Sequence, residues 1–225
     1  MRQGTLKNPW LQLPSGPPYI LPEDRAGIGD LPANGHIDHR INDQSVPEPF
    51  IGNPESATVI LLNLNPGDSP HDPKTHRNQE FREAIMRNLH HKAQDYPFYA
   101  LNPAFAWTGC AKWWVRHLRG LFDKGKLDCA TVARRLCVIE WFPYHSRRAR
   151  LPINAICSSQ QYSFEIAKQM LGSKLIVGMR ARNRWTEVDQ RFGEIPYVNS
   201  CQNPTISIGN IGESVFWQIV ETLRH

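Results

Sequence analysis

The chain has 225 residues, of which 40% are hydrophobic, with seven Trp and nine Phe; that composition is enough for one sizeable core and excludes a disordered polymer. A formal net charge of +5 permits contact with nucleic acid without requiring it. No apolar run approaches the roughly 18 residues of a membrane span, and the N-terminal MRQGTLKNPW lacks a signal peptide's apolar core, so a soluble cytoplasmic protein is expected.

Residues 1–55 are rich in Pro, Gly, Asn and Asp and hold no sustained period of 2 or 3.6. They predict an irregular arm packed on a single domain over residues 56–225. Gly27-Ile28-Gly29 runs into Leu31-Pro32 rather than a helix, unlike a nucleotide-binding glycine loop. His36, Asp38 and His39 lie close together, but no helix fixes their spacing, and no metal site is expected there.

The next stretch, Ala57 to Leu62, is an unbroken apolar run, as in a strand buried on both faces of a parallel sheet. It stops at Asn63-Leu64-Asn65-Pro66-Gly67-Asp68, a turn forced by Pro66 and Gly67. Open α/β sheets bind ligands beyond the carboxyl ends of their strands, which places Asn63, Asn65 and Asp68 at a candidate site. Phe81, Ile85 and Leu89 then share one face of a predicted helix over 80–92. An irregular aromatic segment follows over 95–107, and helical spacing resumes over 110–122, with Trp113, Trp114 and Phe122 read as core.

A second strand is predicted over 136–142. It contains Glu140, and a carboxylate inside a buried strand must be either paired or functional. His145, just beyond, is either a pocket acid or a surface loop residue. A helix over 158–171 stops at Gly172. A third strand follows over 174–179, then a short helix over 182–191, a fourth strand over 195–200 and a closing helix over 213–223. Alternating strands and helices imply βαβ units: a three-layer α/β/α domain on a central four-stranded parallel sheet. Basic clusters at Arg147, Arg148 and Arg150, and at Arg180, Arg182 and Arg184, follow strand ends, as phosphate contacts or as solvated loops. Five widely spaced cysteines without a Cys-x-x-Cys predict reduced thiols rather than disulfides or a metal cluster.

Two turns pair up. Asn63-Leu64-Asn65-Pro66-Gly67 ends the first strand, and Asn203-Pro204-Thr205 follows the fourth. With Pro97-Phe98 and Gly178-Met179-Arg180-Ala181 between them, the ordered set resembles the uracil-DNA glycosylase superfamily, closest in motif to its mismatch-specific thymine/uracil branch. That branch carries Gly-Ile-Asn-Pro-Gly and Asn-Pro-Ser at the paired turns. Here Asn63 stands for the first Gly and Thr205 for Ser, and the Cys ligands of the iron–sulfur branches are missing. Many members place an Asn at the end of the second strand to read uracil's edge; this chain has Glu140, which as a carboxylate suits a donor-bearing edge better than a carbonyl.

The resemblance implies a DNA glycosylase-like protein that hydrolyses the N-glycosidic bond of a flipped, uracil-like or damaged base in DNA repair. In it Asn65 positions water, Phe98 stacks on the base, and Asn203 and Thr205 meet the leaving base or the DNA backbone. Asn63, Leu64, Gly67, Asp68, Glu140 and His145 contribute to the substrate pocket, and Arg147, Arg148 and Arg180 contact phosphates of single- or double-stranded DNA. An amide is no general base, so such chemistry is slower than an Asp would give. No cofactor and no metal are expected, and a monomer is favoured. The alternatives are a non-catalytic nucleic-acid-binding protein of the same fold and a nucleoside or nucleotide hydrolase using Glu140 or Asp68.

Overall fold

A computed structural model describes residues 6–28, 40–69, 72–148, 151 and 157–225; the grouping of His36, Asp38 and His39, and Arg150, lie outside them. The strands are β1 (Phe50–Ile51), β2 (Val59–Asn63), β3 (Leu136–Glu140) and β4 (Leu175–Gly178). The helices are α1 (Arg25–Ile28), α2 (Asp72–Thr75), α3 (Gln79–Leu89), α4 (Gly109–Asp123), α5 (Cys129–Arg135), α6 (Ser158–Met170), α7 (Arg182–Val188), α8 (Ile208–Ile211) and α9 (Glu213–Arg224).

The chain is a mixed α/β protein built on one four-stranded sheet of order β1-β3-β2-β4. β2 pairs in parallel with β3 on one side and β4 on the other. Every residue of β2 and β3 is buried, which is why neither sequence alternates. Helices α5 and α6 pack on β3, and α9 packs on β2. Side-chain caps fix the starts of the helices nearest the strand ends: Asn78 accepts from the Phe81 amide at α3, and Thr108 from the Ala111 amide at α4.

The sheet is not purely parallel, which corrects the sequence expectation twice. First, the N-terminal arm supplies β1, which runs antiparallel to β3, with Phe50 opposite Ile139 and Ile51 opposite Val138. A two-residue strand is too short to show alternation. Second, residues 195–200 make only a single parallel bridge, Gly178 to Tyr197. Pro196 has no N–H to give, and the Asn199 and Ser200 amides turn to the backbone and side-chain oxygens of Asn210. Gly178 is required at this bridge, because a methyl group there would overlap the Tyr197 ring.

The arm is otherwise part of the core. Trp10, Tyr19, Leu21, Val46 and Phe50 are all buried. Asp24, fully buried, accepts from Tyr144 Oη (2.7 Å) and from the Ser159 amide (3.0 Å), tying the arm to the segment after β3. Among the described residues, no helix is long and apolar enough to cross a membrane.

Candidate functional site

The chain leaves the central strand β2 for neighbours on both sides, an arrangement that opens a crevice beyond the carboxyl ends of the strands. A cavity of about 220 Å³ lies there. Asn63, Asn65, Gly67, Asp68, Glu140, His145 and Arg180 all line it, so one cavity gathers seven of the residues singled out in the sequence.

Parallel register makes Asn63 and Glu140 direct neighbours at the ends of β2 and β3. Asn63 Nδ2 donates to Glu140 Oε1 at 3.0 Å, and both residues are 3% exposed. The remaining oxygens, Asn63 Oδ1 and Glu140 Oε2, are buried without a hydrogen-bond partner. Burial pushes the Glu140 carboxyl up to about 8; the Asn63 bond and Arg180 oppose the shift, and Glu48 adds to it. The backbone here is rigid: Asn63 O accepts from the Trp185 indole (2.8 Å) and the Trp141 amide (3.3 Å).

The turn after β2 is fixed from its own side chains. Asn65 Nδ2 donates to Pro66 O (2.8 Å) and to Ser146 Oγ (3.0 Å), which orients the amide. Its Oδ1 takes no hydrogen bond from the described residues. Asp68 accepts from Asn42 Nδ2 at 2.6 Å, and burial raises its carboxyl above the ordinary range.

Behind the turn lies a buried cluster from four segments. His145 places Nδ1 2.6 Å from Gly67 O and Nε2 3.0 Å from Val46 O. Carbonyl oxygens only accept, so each ring nitrogen faces an acceptor. Glu48 Oε2 lies 3.4 Å from the same ring, and Tyr99 Oη donates to Glu48 Oε1. Burial raises the Glu48 carboxyl, against the pull of His145 and Tyr99. His76 accepts from the Val46 amide at Nδ1 (3.0 Å), and burial holds its pKa well below the ordinary value, so Nε2 keeps its proton.

The ligand atoms of Glu48, His76 and His145 all lie within 4.8 Å of one another, close enough to hold a metal ion. The hydrogen bonds oppose it. A metal on His76 Nε2 would need a proton on Nδ1, which faces the Val46 N–H, and both His145 nitrogens face carbonyls. The trio is a structural clamp that joins the arm, the 65–68 turn and the segment after β3.

Aromatic side chains Phe81, Trp113 and Trp114 wall the cavity, and the Arg180 guanidinium lies 5.7 Å from the Trp113 ring centre. Arg180 also donates from Nε to Cys201 O (3.0 Å), linking the cavity to the 201–205 turn. The remaining sequence candidates lie off the cavity wall. Phe98 is fully buried, with its ring edge-on to Trp114 at 5.0 Å. Leu64 packs against the core. Asn203 is exposed in the 200–205 turn, with its carbonyl and that of Thr205 both accepting from Asn210 Nδ2. Arg147 and Arg148 are exposed directly after the buried Ser146.

Sequence reasoning missed Glu48, His76, Asp72 and the outward role of Trp113. Glu48 stands in Pro47-Glu48-Pro49, where no period gives its side chain a direction. Trp113 carried a usable signal: adjacent residues on a helix point in different directions, and Trp114 takes the more buried one, which leaves Trp113 half-buried at the cavity.

Together these features define a crevice-type ligand site of an α/β protein, polar at its floor and aromatic at its walls. No family model matches the chain, and neither a curated protein nor a solved structure matches it.

Proposed function

We propose that this protein is a DNA glycosylase that hydrolyses the N-glycosidic bond of a flipped uracil-like or damaged base. The observation that carries the reading is the clamped Asn65 amide, whose Oδ1 is left as an acceptor in the same cavity as the Asn63–Glu140 pair. A cavity of about 150 Å³ accommodates a benzene ring, so about 220 Å³ accommodates a substituted heterocycle.

The mechanism follows from these positions. The base leaves the stack at a cost of a few kcal/mol and enters between the aromatic walls. Phe81, Trp113 and Trp114 supply that contact, in place of the buried Phe98. Asn65 Oδ1 accepts a hydrogen bond from water and holds its oxygen towards the anomeric carbon. The N-glycosidic bond breaks with its electron pair leaving on the base, the water oxygen bonds the sugar carbon, and the water proton passes to solvent. Donors at the floor stabilise the departing base. Arg147, Arg148, Arg180 and the turn holding Asn203 and Thr205 contact the DNA backbone.

Incubation with single- and double-stranded oligonucleotides carrying uracil, T·G, hypoxanthine or xanthine, followed by alkaline cleavage of abasic sites, tests the reading. Strand cleavage with at least one substrate is expected; intact strands with all of them overturn it. A second reading, hydrolysis of free nucleosides, draws on Asp68 at the cavity wall with its raised carboxyl. Turnover of free uridine or inosine without excision from DNA would favour it.

A further inference from the structure

The floor of the cavity holds two unmet hydrogen-bonding demands. Asn63 Oδ1 and Glu140 Oε2 are both buried, both unpartnered, and both belong to residues that line the cavity. Leaving such a group unpaired is costly, and the hydrogen bond between the two side chains, from Asn63 Nδ2 to Glu140 Oε1, leaves both of these oxygens out. One N–H of the Asn63 amide goes to Glu140, and the amide oxygen, which can only accept, is left unpartnered. Glu140 forms no ion pair with a described residue, and a buried carboxyl without one favours its neutral acid.

The surroundings select the ligand's charge. Glu48, Asp68, Asp72 and Glu140 all line the cavity, beside Arg180 and His145, and both ring nitrogens of His145 already face backbone carbonyls. The wall also holds His76, kept neutral, and the Cys110 thiol, pushed up by burial. A phosphate or carboxylate at this floor would meet acid groups. A neutral heterocycle meets the same groups without charge repulsion.

We propose that Asn63 and Glu140 together read one edge of the bound base, Asn63 Oδ1 accepting from an N–H and Glu140 Oε2–H donating to the neighbouring acceptor. This deepens the glycosylase reading and rests on it for the identity of the ligand as a nucleobase. The edge is either a lactam, as in uracil and hypoxanthine, or an amino-imine, as in cytosine and adenine. In either case binding requires the Glu140 proton. It weakens as pH rises through the raised carboxyl value of about 8.

Binding of uracil, hypoxanthine, cytosine, adenine and 1,3-dimethyluracil to the intact chain, followed by ligand-observed NMR from about pH 6 to about pH 9, tests this pair. At least one unmethylated base is expected to bind at the acid end and weaken about tenfold or more across the range. If the lactam arm is the ligand, 1,3-dimethyluracil, which has no N–H left, binds about tenfold or more weaker than uracil. Glu140→Gln carries a permanent donor, so it binds the same base with a flat pH profile, which also separates Glu140 from titration of the base. Glu140→Ala, with its fold checked by circular dichroism, loses binding. The pair's role is overturned if no base binds, if uracil binds and methylation does not weaken it, if Glu140→Gln keeps the wild-type pH slope, or if a folded Glu140→Gln does not bind. The two readings fail separately. Base binding of this form without abasic product removes the catalysis alone; abasic product with pH-independent base binding removes the edge reading alone.

Discussion

Glu48 and His145 meet at 3.4 Å with side chains only 5% and 3% exposed, one from the N-terminal arm and one from the segment after β3. Breaking a buried pair by removing one partner costs about 3–5 kcal/mol, because the other charge is left behind. His145→Ala should lose stability in that range by urea denaturation, since it also strips donors from Gly67 O and Val46 O. Glu48→Gln should cost less, and the double variant less than the sum of the two. Additive losses would show that the two residues do not act as a pair.

Glu140 makes stability fall with pH. Its folded carboxyl lies at about 8 against an ordinary 4.5, so between those values the native state holds a proton that the unfolded chain has lost. The stabilising contribution is complete below about pH 4.5 and is lost as pH rises through about 8. The raised Glu48 and Asp68 carboxyls act with the same sign. Thermal melts should therefore decline between about pH 5 and pH 9, at about 2–4 °C per kcal/mol for a chain of this size. Glu140→Gln should reduce that decline; an unchanged slope would place the titration elsewhere.

Asn65→Ala should lower the rate of base excision about a hundredfold, the usual cost of losing a positioned reactant. Base binding should persist, because the Asn63–Glu140 floor remains. Single-turnover kinetics separate the two effects. A variant that loses binding and chemistry together would assign Asn65 to the base rather than to water.

Gly178→Ala should destabilise the chain by about 1–3 kcal/mol, the usual cost of overpacking, because the added methyl group meets the Tyr197 ring. Tyr197→Ala in the same chain should recover part of that loss. Chemical denaturation of the two single variants and the double variant measures the recovery, and an absence of recovery would mean that some other contact sets the cost.

Arg147→Ala and Arg148→Ala should weaken DNA binding alike across sequences. Each should lower the slope of log affinity against log salt by about 1 if it contacts a phosphate. An unchanged slope would leave these arginines as solvated loop residues.

The three parallel strands were legible because each is an apolar run closed by a polar or proline turn. α3, α4, α6 and α9 were legible because each carries a sustained apolar face. The site turn was legible for a related reason: Asn63-Leu64-Asn65-Pro66-Gly67 interrupts a buried strand at a point where only a turn can follow. What escaped depended on partners distant in sequence. β1 forms because β3 offers it an edge, not because Phe50-Ile51 has a pattern. Residues 195–200 have the β-prone composition of a strand, but Asn210 takes two of their amides. Phe98 shows the same limit at the site. Its Pro-Phe context resembles a stacking element, while its ring lies edge-on to Trp114 inside the core.

The small strand β1 has one more effect. Pro49 O accepts from the Glu140 amide at 2.8 Å, and Phe50 and Ile51 continue the pairing along β3. The arm therefore seals the open side of the very strand that carries Glu140. Without residues 1–55 that side would present a row of unpaired amides and carbonyls on Val138, Ile139 and Glu140, a ready template for another chain. The arm thus closes the edge on which another chain could pair, and the same few backbone bonds hold the strand that carries Glu140.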